Sequence, residues 1–438
     1  MQTINVGLFG LGVVGSGVLE ILARNRELIR QRLGTELRVT KAVTAHPEKP
    51  RTVPLDGIPV SRDPDTILKD PSVQIVAELM GGTDLARKVV LGALDAGKPV
   101  VTANKALLAT HAAEVFGKAY EKGLPLGIEA SVAGGIPVLR ALREGLAADH
   151  ILEITGIVNG TCNYILTKMS DEGAPFDAVL AEAQKLGYAE ADPTFDVGGF
   201  DAAQKLAVLV NLAYGATVHY PDLFVEGIGH VTPMDIAYAR QLGYAVKLLA
   251  IAKPRGERVE ARVHPTLIAK SHLLASVGGV FNAVFLTGDN VDATLFSGRG
   301  AGALPTGSAV VGDLIDIARA ILSRSLGRMP PLSVQREHVR KLLVMPMEEI
   351  DSEYYLRFQV QDRPGVLAGI TRVLGERNIS IQSMFQPSQA DHPEDPVQVV
   401  LITHMALERD VQASLREIQP MPFVRGKTQM LRIESFGG

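Results

Sequence analysis

Two lysines and two carboxylates are the residues of this 438-residue chain best placed to do chemistry together. Asp201 and Lys205 are four apart in a stretch whose apolar residues Val208, Leu209 and Leu212 recur with helical period. Both side chains therefore fall on one helix face. An ammonium on an apolar stripe either snorkels to water or is held in a cleft with a shifted proton affinity; both readings stand at this point. Just upstream, Gly187-Tyr188-Ala189-Glu190-Ala191-Asp192-Pro193 is bounded by turn formers, so Glu190 belongs to a loop. Val100-Val101-Thr102-Ala103-Asn104-Lys105 sets Ala103 and Lys105 directly after a buried strand. Ligands of open α/β sheets lie outside the carboxyl ends of such strands. Lys105 there reaches a cofactor or substrate; in isolation it reads as a surface lysine.

A nucleotide site must serve these groups, and the chain start offers one. Residues 3–9 form a short apolar run, followed by Gly10-Leu11-Gly12-Val13-Val14-Gly15 and then a helical pattern through Val18, Leu19, Ile21, Leu22 and Ile29. Strand, glycine turn and helix are the context a dinucleotide motif requires. The first glycine permits the turn, the second admits a pyrophosphate, and the third lets helix pack on strand. The helix N-terminus supplies free N–H groups to the phosphates. The tip of the second strand, Val43-Thr44-Ala45-His46, carries no acid for a ribose 2′-hydroxyl, whereas Lys41, Lys49 and Arg51 lie nearby. That pattern favours NADPH and leaves NADH open. Met80-Gly81-Gly82-Thr83 follows another buried strand. Thr83 there either touches the nucleotide or caps the next helix.

The elements that must position these groups follow from periodicity. Strands over 37–44, 73–79 and 99–102 alternate with helices over 86–96 and 107–122, which implies a parallel sheet covered on both faces. A helix is expected over 136–146 with Pro137 in its first turn, then a strand over 151–158. Loop-rich and helical segments are expected up to about 305, and a further helix over 313–326. Beyond Arg328-Met329-Pro330-Pro331, strands over 354–360, 379–385, 397–404 and 429–433 and helices over 366–377 and 410–418 give βαββαβ, the ferredoxin-like order. The expected organisation is α/β: a Rossmann-like domain over 1–130, a central α+β catalytic and dimerisation domain over 131–327, a linker over 328–352 and a ferredoxin-like domain over 353–438. The helix near 306–326 is expected to pack back on the nucleotide domain.

Composition narrows the class. Hydrophobic residues make up 46% and charged residues 21%, so the chain buries a large core. A net charge of −4 leaves no basic footprint for nucleic acid. No apolar stretch reaches the roughly 20 residues of a membrane span, and the first ten residues do not read as a secretory signal; a cytoplasmic enzyme is the expectation. Cys162 is the single cysteine, expected to be buried and inert because no base is paired with it. His219 and His230 lack zinc-ligand spacing, and His111 reads as structural or surface.

Over nearly its whole length the chain resembles the long, regulated bacterial form of homoserine dehydrogenase. The resemblance rests on GLGVVG at 10–15, TANK at 102–105, EASVAGGIP at 129–137, NGTCNYIL at 159–166, GYAEADPTFDVGGFDAAQK at 187–205 and GRGAGALPTGSAVVGDL at 298–314. Asp362-Arg363-Pro364-Gly365-Val366-Leu367-Ala368 resembles the opening of an ACT domain. The family reversibly reduces L-aspartate 4-semialdehyde to L-homoserine with NAD(P)H. The resemblance implies Lys205 as general acid/base and Lys105 as the second catalytic lysine. It makes Glu190 and Asp201 the holders of the substrate's ammonium, and brings Gly187 and Gly302 near the cofactor. It also implies a monovalent cation, usually sodium, at Glu129, Val132, Gly134 and Ile136. In the ACT unit, Asp362, Gly365, Asn378 and Ile379 would bind L-threonine as effector. A homodimer or homotetramer is expected, and no GxxxxGK[ST] loop suggests fusion to an aspartate kinase. A dehydrogenase for a related amino-acid aldehyde, or a non-catalytic dinucleotide and amino-acid sensor, are the alternatives. The sensor would not need Glu190, Asp201, Lys205 and Lys105 together.

Overall fold

The computed structural model describes residues 3–386 and 395–436. Its first unit is a six-stranded sheet in the order Val60–Ser61, Glu36–Val43, Thr3–Phe9, Ile75–Glu78, Val100–Thr102 and Leu126–Gly127. Every pairing is parallel. Thr3–Phe9, Ile75–Glu78 and Val100–Thr102 are almost wholly buried, as continuous apolar runs covered on two faces must be. Strand order reverses on either side of Thr3–Phe9, so a crevice opens at its carboxyl end, where this topology binds ligands.

Helix Val13–Arg24 leaves that crevice and packs against Ala303–Leu322, which returns from far along the chain. The approach is close: a Cβ on Gly17 would sit 2.1 Å from the Ala303 carbonyl oxygen. The returning helix starts at Ala303, ten residues before the expected 313. Pro305 lies in its first turn, where a missing N–H costs nothing.

The second unit departs most from expectation. Residues up to 305 are not merely loops and helices: Tyr244–Arg255 pairs with Arg258–Ala269, and Phe281–Gly288 with Asp292–Arg299, as long antiparallel hairpins. Ile151–Ile157 lies between Tyr244–Arg255 and Phe281–Gly288. Strand Arg258–Ala269 is buried on both faces although it carries Glu260, Arg262 and His264. Those polar residues disguise the strand in sequence, because buried charges are tolerated only when paired. The expected helix over 107–122 is two helices, Lys105–Thr110 and Ala112–Lys122, broken at His111. The one over 136–146 is a single α turn, Val138–Arg140, running into a π turn, Ala141–Gly145, with Pro137 before its first residue.

The third unit has the expected βαββαβ order: Asp351–Gln361, Val366–Gly375, Ile381–Phe385, Pro396–Thr403, Glu408–Ile418 and Gln429–Glu434. It is not suspended on a free linker. Gln429–Glu434 pairs in parallel with Arg258–Ala269, so one sheet runs from the central unit into the third. Within 328–352, Leu332, Leu342 and Met347 are buried, and Leu343–Val344 pairs with the strand that begins at Arg258. Ion pairs reinforce the seam: Arg432 joins Glu226 at 2.8 Å, and Arg262 joins Glu434 at 2.9 Å.

Candidate active site

A cleft of about 1520 Å³, open to solvent, lies between the first two units. The glycine loop, the end of Val100–Thr102, the Ser131–Gly134 turn and helix Phe200–Ala213 all contribute to its walls. Gly10 has φ +96, and a Cβ there would stand 2.5 Å from the Leu79 carbonyl oxygen. A Cβ on Gly15 would meet the Gly10 carbonyl oxygen at 2.1 Å, whereas one on Gly12 would point into open space. Gly12 thus leaves the room that a pyrophosphate needs, in front of a helix N-terminus with no side-chain cap. Leu11 is buried, and Val13 and Val14 face the cleft. These residues fit a dinucleotide.

Helix Phe200–Ala213 places Asp201 and Lys205 on the wall of the cleft. Its N-terminus begins at the left-handed Gly199, and every residue from Asp201 to Leu212 except Lys205 is buried. Asp201 and Lys205 emerge on one face, and Lys205 Nζ donates to Asp201 Oδ2 at 2.7 Å and to the Val158 carbonyl at 2.7 Å. This decides between the two readings of Lys205: its side chain is only 12% exposed and turns into the cleft rather than out to solvent. An ammonium has three protons, so one remains for a ligand. Lys105 approaches from the other unit, with Nζ 3.2 Å from Asp201 Oδ1. Asn104 accepts from Leu107 N and so caps the short helix that Lys105 begins.

Asp201 is thereby gripped by two ammonium groups and by Asn159 Nδ2 at 2.9 Å. Burial alone would raise its carboxyl; Lys205 and Lys105 outweigh that and hold it at about 2. Glu190 and Gly187 stand on the same wall, Glu190 exposed and Gly187 at φ +75. Ala103 and Gly302 also line the cleft, Gly302 at φ +129 just before helix Ala303–Leu322. Thr83 is not on this wall, and its side chain makes no cap bond to helix Asp84–Asp95.

Three groups on or beside the wall carry little signal in the sequence. Asn159 caps helix Gly160–Glu172 by accepting from Cys162 N, and its amide ties Asp196 to Asp201. An Asn followed by Gly and a helical pattern is a legible cap, but the carboxylates it ties together are more than thirty residues away. Asp196 is raised by burial. Glu78, a lone acid in an apolar run, is fully buried at the strand end and raised by burial, and accepts from Thr102 Oγ1 and Met80 N. Cys162 is buried against the Asp196 carbonyl, and burial pushes its thiol well up, which leaves it unreactive.

The cations expected around the cofactor's 2′ position separate. Lys41 is taken by Asp70 at 2.5 Å. Arg51 instead donates to the Leu11 carbonyl at 2.8 Å and to His46 O, which ties it to the glycine loop.

Glu129 is buried beside the cleft, and its carboxylate accepts from Leu139 N and Arg140 N, while its own N–H donates to Asp313 Oδ2. Burial and the nearby Asp313 raise it to about 7. Val132, Ala133 and Ile136 are buried, and Gly134 is left-handed where it meets the Gly300 carbonyl. In the third unit Asp362 and Gly365 stand at the start of helix Val366–Gly375. Asn378 is exposed and left-handed, and the Ile379 side chain lies in the hydrophobic core. The structure therefore gives Ile379 a packing role, and its N–H already donates to the Leu374 carbonyl at 3.0 Å.

A parallel nucleotide sheet, a lysine pair on one carboxylate and a βαββαβ unit define a nicotinamide-dependent oxidoreductase with an added ACT domain. Family models agree segment by segment: the homoserine dehydrogenase NAD-binding domain matches residues 10–128, homoserine dehydrogenase itself 137–315, and the ACT domain 354–420. The chain is 44% identical to homoserine dehydrogenase of Neisseria gonorrhoeae across 99% of both chains, and 44% to that of Pseudomonas aeruginosa, again across 99% of both. A crystal structure of a homoserine dehydrogenase from Thiobacillus denitrificans is 45% identical, with a TM-score of 0.92 over 100% of this chain and 99% of that one. A hyperthermophilic archaeal homoserine dehydrogenase in complex with NADPH is 27% identical, with a TM-score of 0.62 over 74% of this chain and 98% of that one. The chain belongs to the homoserine dehydrogenase family.

Proposed function

We propose that Lys205 is the general acid/base for interconversion of L-aspartate 4-semialdehyde and L-homoserine, with Lys105 as the second catalytic lysine. The supporting observation is the convergence of both ammonium groups on Asp201 beside the glycine loop. Bound NADPH supplies the hydride to the aldehyde carbon. Lys205 Nζ, held by Asp201 and the Val158 carbonyl, directs its remaining proton to the oxygen that becomes negative. Homoserine oxidation runs the same path backwards, with Lys205 Nζ taking the hydroxyl proton.

Glu190, exposed on the wall, accepts the substrate's ammonium. Asp201 was expected to share that task. Its two lysine partners make it first the residue that orients the pair, with the substrate ammonium as a further ligand. The cofactor is NADPH, with Arg51 at the loop. A sodium-like cation suits Glu129 with backbone oxygens of Val132, Gly134 and Ile136. A buried carboxylate raised by Asp313 gains from a hard cation with oxygen ligands. The ACT unit binds L-threonine near Asp362, Gly365 and Asn378 and reports to the catalytic unit through the shared sheet. The enzyme is a homodimer or homotetramer. Homoserine oxidation followed at the nicotinamide absorbance, with NADP⁺ and NAD⁺ in turn, tests the reading. Absence of homoserine-dependent reduction with either would reject it.

A further inference from the structure

Glu78 is a fully buried carboxylate that the chemistry proposed above does not use. It ends strand Ile75–Glu78, in register with Phe9 on one side and Thr102 on the other. Gly10 follows Phe9 and Ala103 follows Thr102, so Glu78 stands where the sheet opens into the crevice. No cation pairs with it among the described residues, and burial raises its carboxyl. Taking such a group out of water costs free energy that only hydrogen bonds return. An apolar residue like its neighbours Ile75, Val76 and Ala77 would end the strand without that cost.

Its two oxygens hold two different loops. Oε1 accepts from Met80 N at 2.8 Å, and Oε2 accepts from Thr102 Oγ1 at 2.6 Å. The first bond fixes the segment on which the glycine loop rests, for a Cβ on Gly10 would stand 3.1 Å from Met80 N. The second bond aims the Thr102 hydroxyl. Its proton points to Glu78, which leaves its lone pairs for Asn104 N, a donor at 3.0 Å. Asn104 then accepts from Leu107 N and donates to the Gly82 carbonyl at 2.8 Å. Lys105 is the next residue and begins the short helix that Asn104 caps. A carboxylate only accepts, and both groups it meets here donate.

We propose that Glu78 is a positioning residue: it fixes the Met80 support of the glycine loop and, through the Thr102 hydroxyl, the turn that presents Lys105 to Asp201. The inference rests on the roles given above to Lys105 and the glycine loop. Its two arms are separable, the Met80 arm bearing on cofactor affinity and the Thr102 arm on turnover. Lys105 meets Asp201 across the cleft at 3.2 Å, and a misplacement of about 1 Å costs on the order of 100-fold in rate.

Glu78→Ala, Glu78→Gln and Thr102→Val test this against the parent and Lys105→Met. The readouts are homoserine oxidation, NADPH titration by its fluorescence, and thermal melting. Glu78→Ala should lower kcat about 10- to 100-fold and weaken NADPH binding about fivefold. Thr102→Val cuts only the lysine arm, so kcat should fall while NADPH affinity holds. Glu78→Gln keeps an acceptor for Met80 N and should lie nearer the parent than Glu78→Ala. In a Lys105→Met background, Glu78→Ala should lower kcat less than about threefold, because the group it positions is gone. A role in stability alone would shift melting and leave kcat and NADPH affinity at parental values. That result, an equal loss of kcat with and without Lys105, or Glu78→Gln as impaired as Glu78→Ala would overturn the proposal. If Glu78→Ala does not fold, parental kcat in Thr102→Val overturns it as well. Parental turnover in Lys105→Met would reject the lysine role and the proposal with it. A parent without homoserine oxidation would instead fail the reading above, and the NADPH titration would still decide the Met80 arm.

Discussion

Replacing Lys205 with alanine removes one proton donor and leaves the rest of the site standing. The ammonium makes two fixed hydrogen bonds, to Val158 O and Asp201 Oδ2, and keeps one proton for the reacting oxygen. Asp201 stays compensated in the variant because Lys105 remains 3.2 Å away and Asn159 still donates to it. The fold should therefore lose less than the roughly 3–5 kcal/mol that follows when a buried charge is left alone. Catalysis should lose what a positioned acid contributes, about 10²- to 10⁴-fold in kcat, or about 3–5 kcal/mol of barrier. The glycine loop is untouched, so KM for the cofactor should move little. Steady-state homoserine oxidation, thermal melting and cofactor titration on the same preparation separate these effects. A kcat within tenfold of the parent, or a cofactor KM that changes as much as kcat, would refute the assignment.

Acid stability should follow Asp201. Its carboxyl is held at about 2 against an ordinary 3.8. Its contribution, about 2 kcal/mol, is then full above pH 4 and lost as pH falls through 2; Asp201→Asn should flatten that limb of the stability–pH curve. Arg51→Gln should raise KM for NADPH about tenfold and for NADH less, the 2′-phosphate accounting for the difference; equal loss would leave Arg51 as a brace for Leu11 O alone. A chain stopped near residue 350 would be expected, from sequence, to keep activity and lose threonine inhibition. The structure predicts instead that it melts earlier, because Arg262 keeps only Glu260 and Glu226 keeps only His230 once Glu434 and Arg432 are gone. Asp362→Ala in the full chain is the cleaner test: threonine inhibition should fall while activity without threonine is retained.

The nucleotide unit was legible because its determinants are local. A glycine turn between a buried strand and a helix constrains backbone within six residues, and each glycine meets the obstacle or the open space its role requires. The βαββαβ order was equally readable, since period-two and period-3.6 patterns alternate there without interruption. The central sheet was not. Strand Arg258–Ala269 reads as polar because Glu260, Arg262 and His264 sit in its buried run, and their partners include Glu434, 172 residues beyond Arg262.

The lysine pair divides the same way. Spacing placed Asp201 and Lys205 on one helix face, because four residues make about one turn. Whether Lys205 turned to solvent or to a cleft depended on Val158, and whether Asp201 faced substrate or lysines depended on Lys105. Arg51 shows the same limit: its charge was visible, but its place on the Leu11 carbonyl depended on how the second strand's loop folds over the glycine turn. Local spacing decides which groups share a face, since backbone geometry repeats every few residues. Long-range packing decides what that face meets, and so how many of a lysine's three protons are left for the substrate.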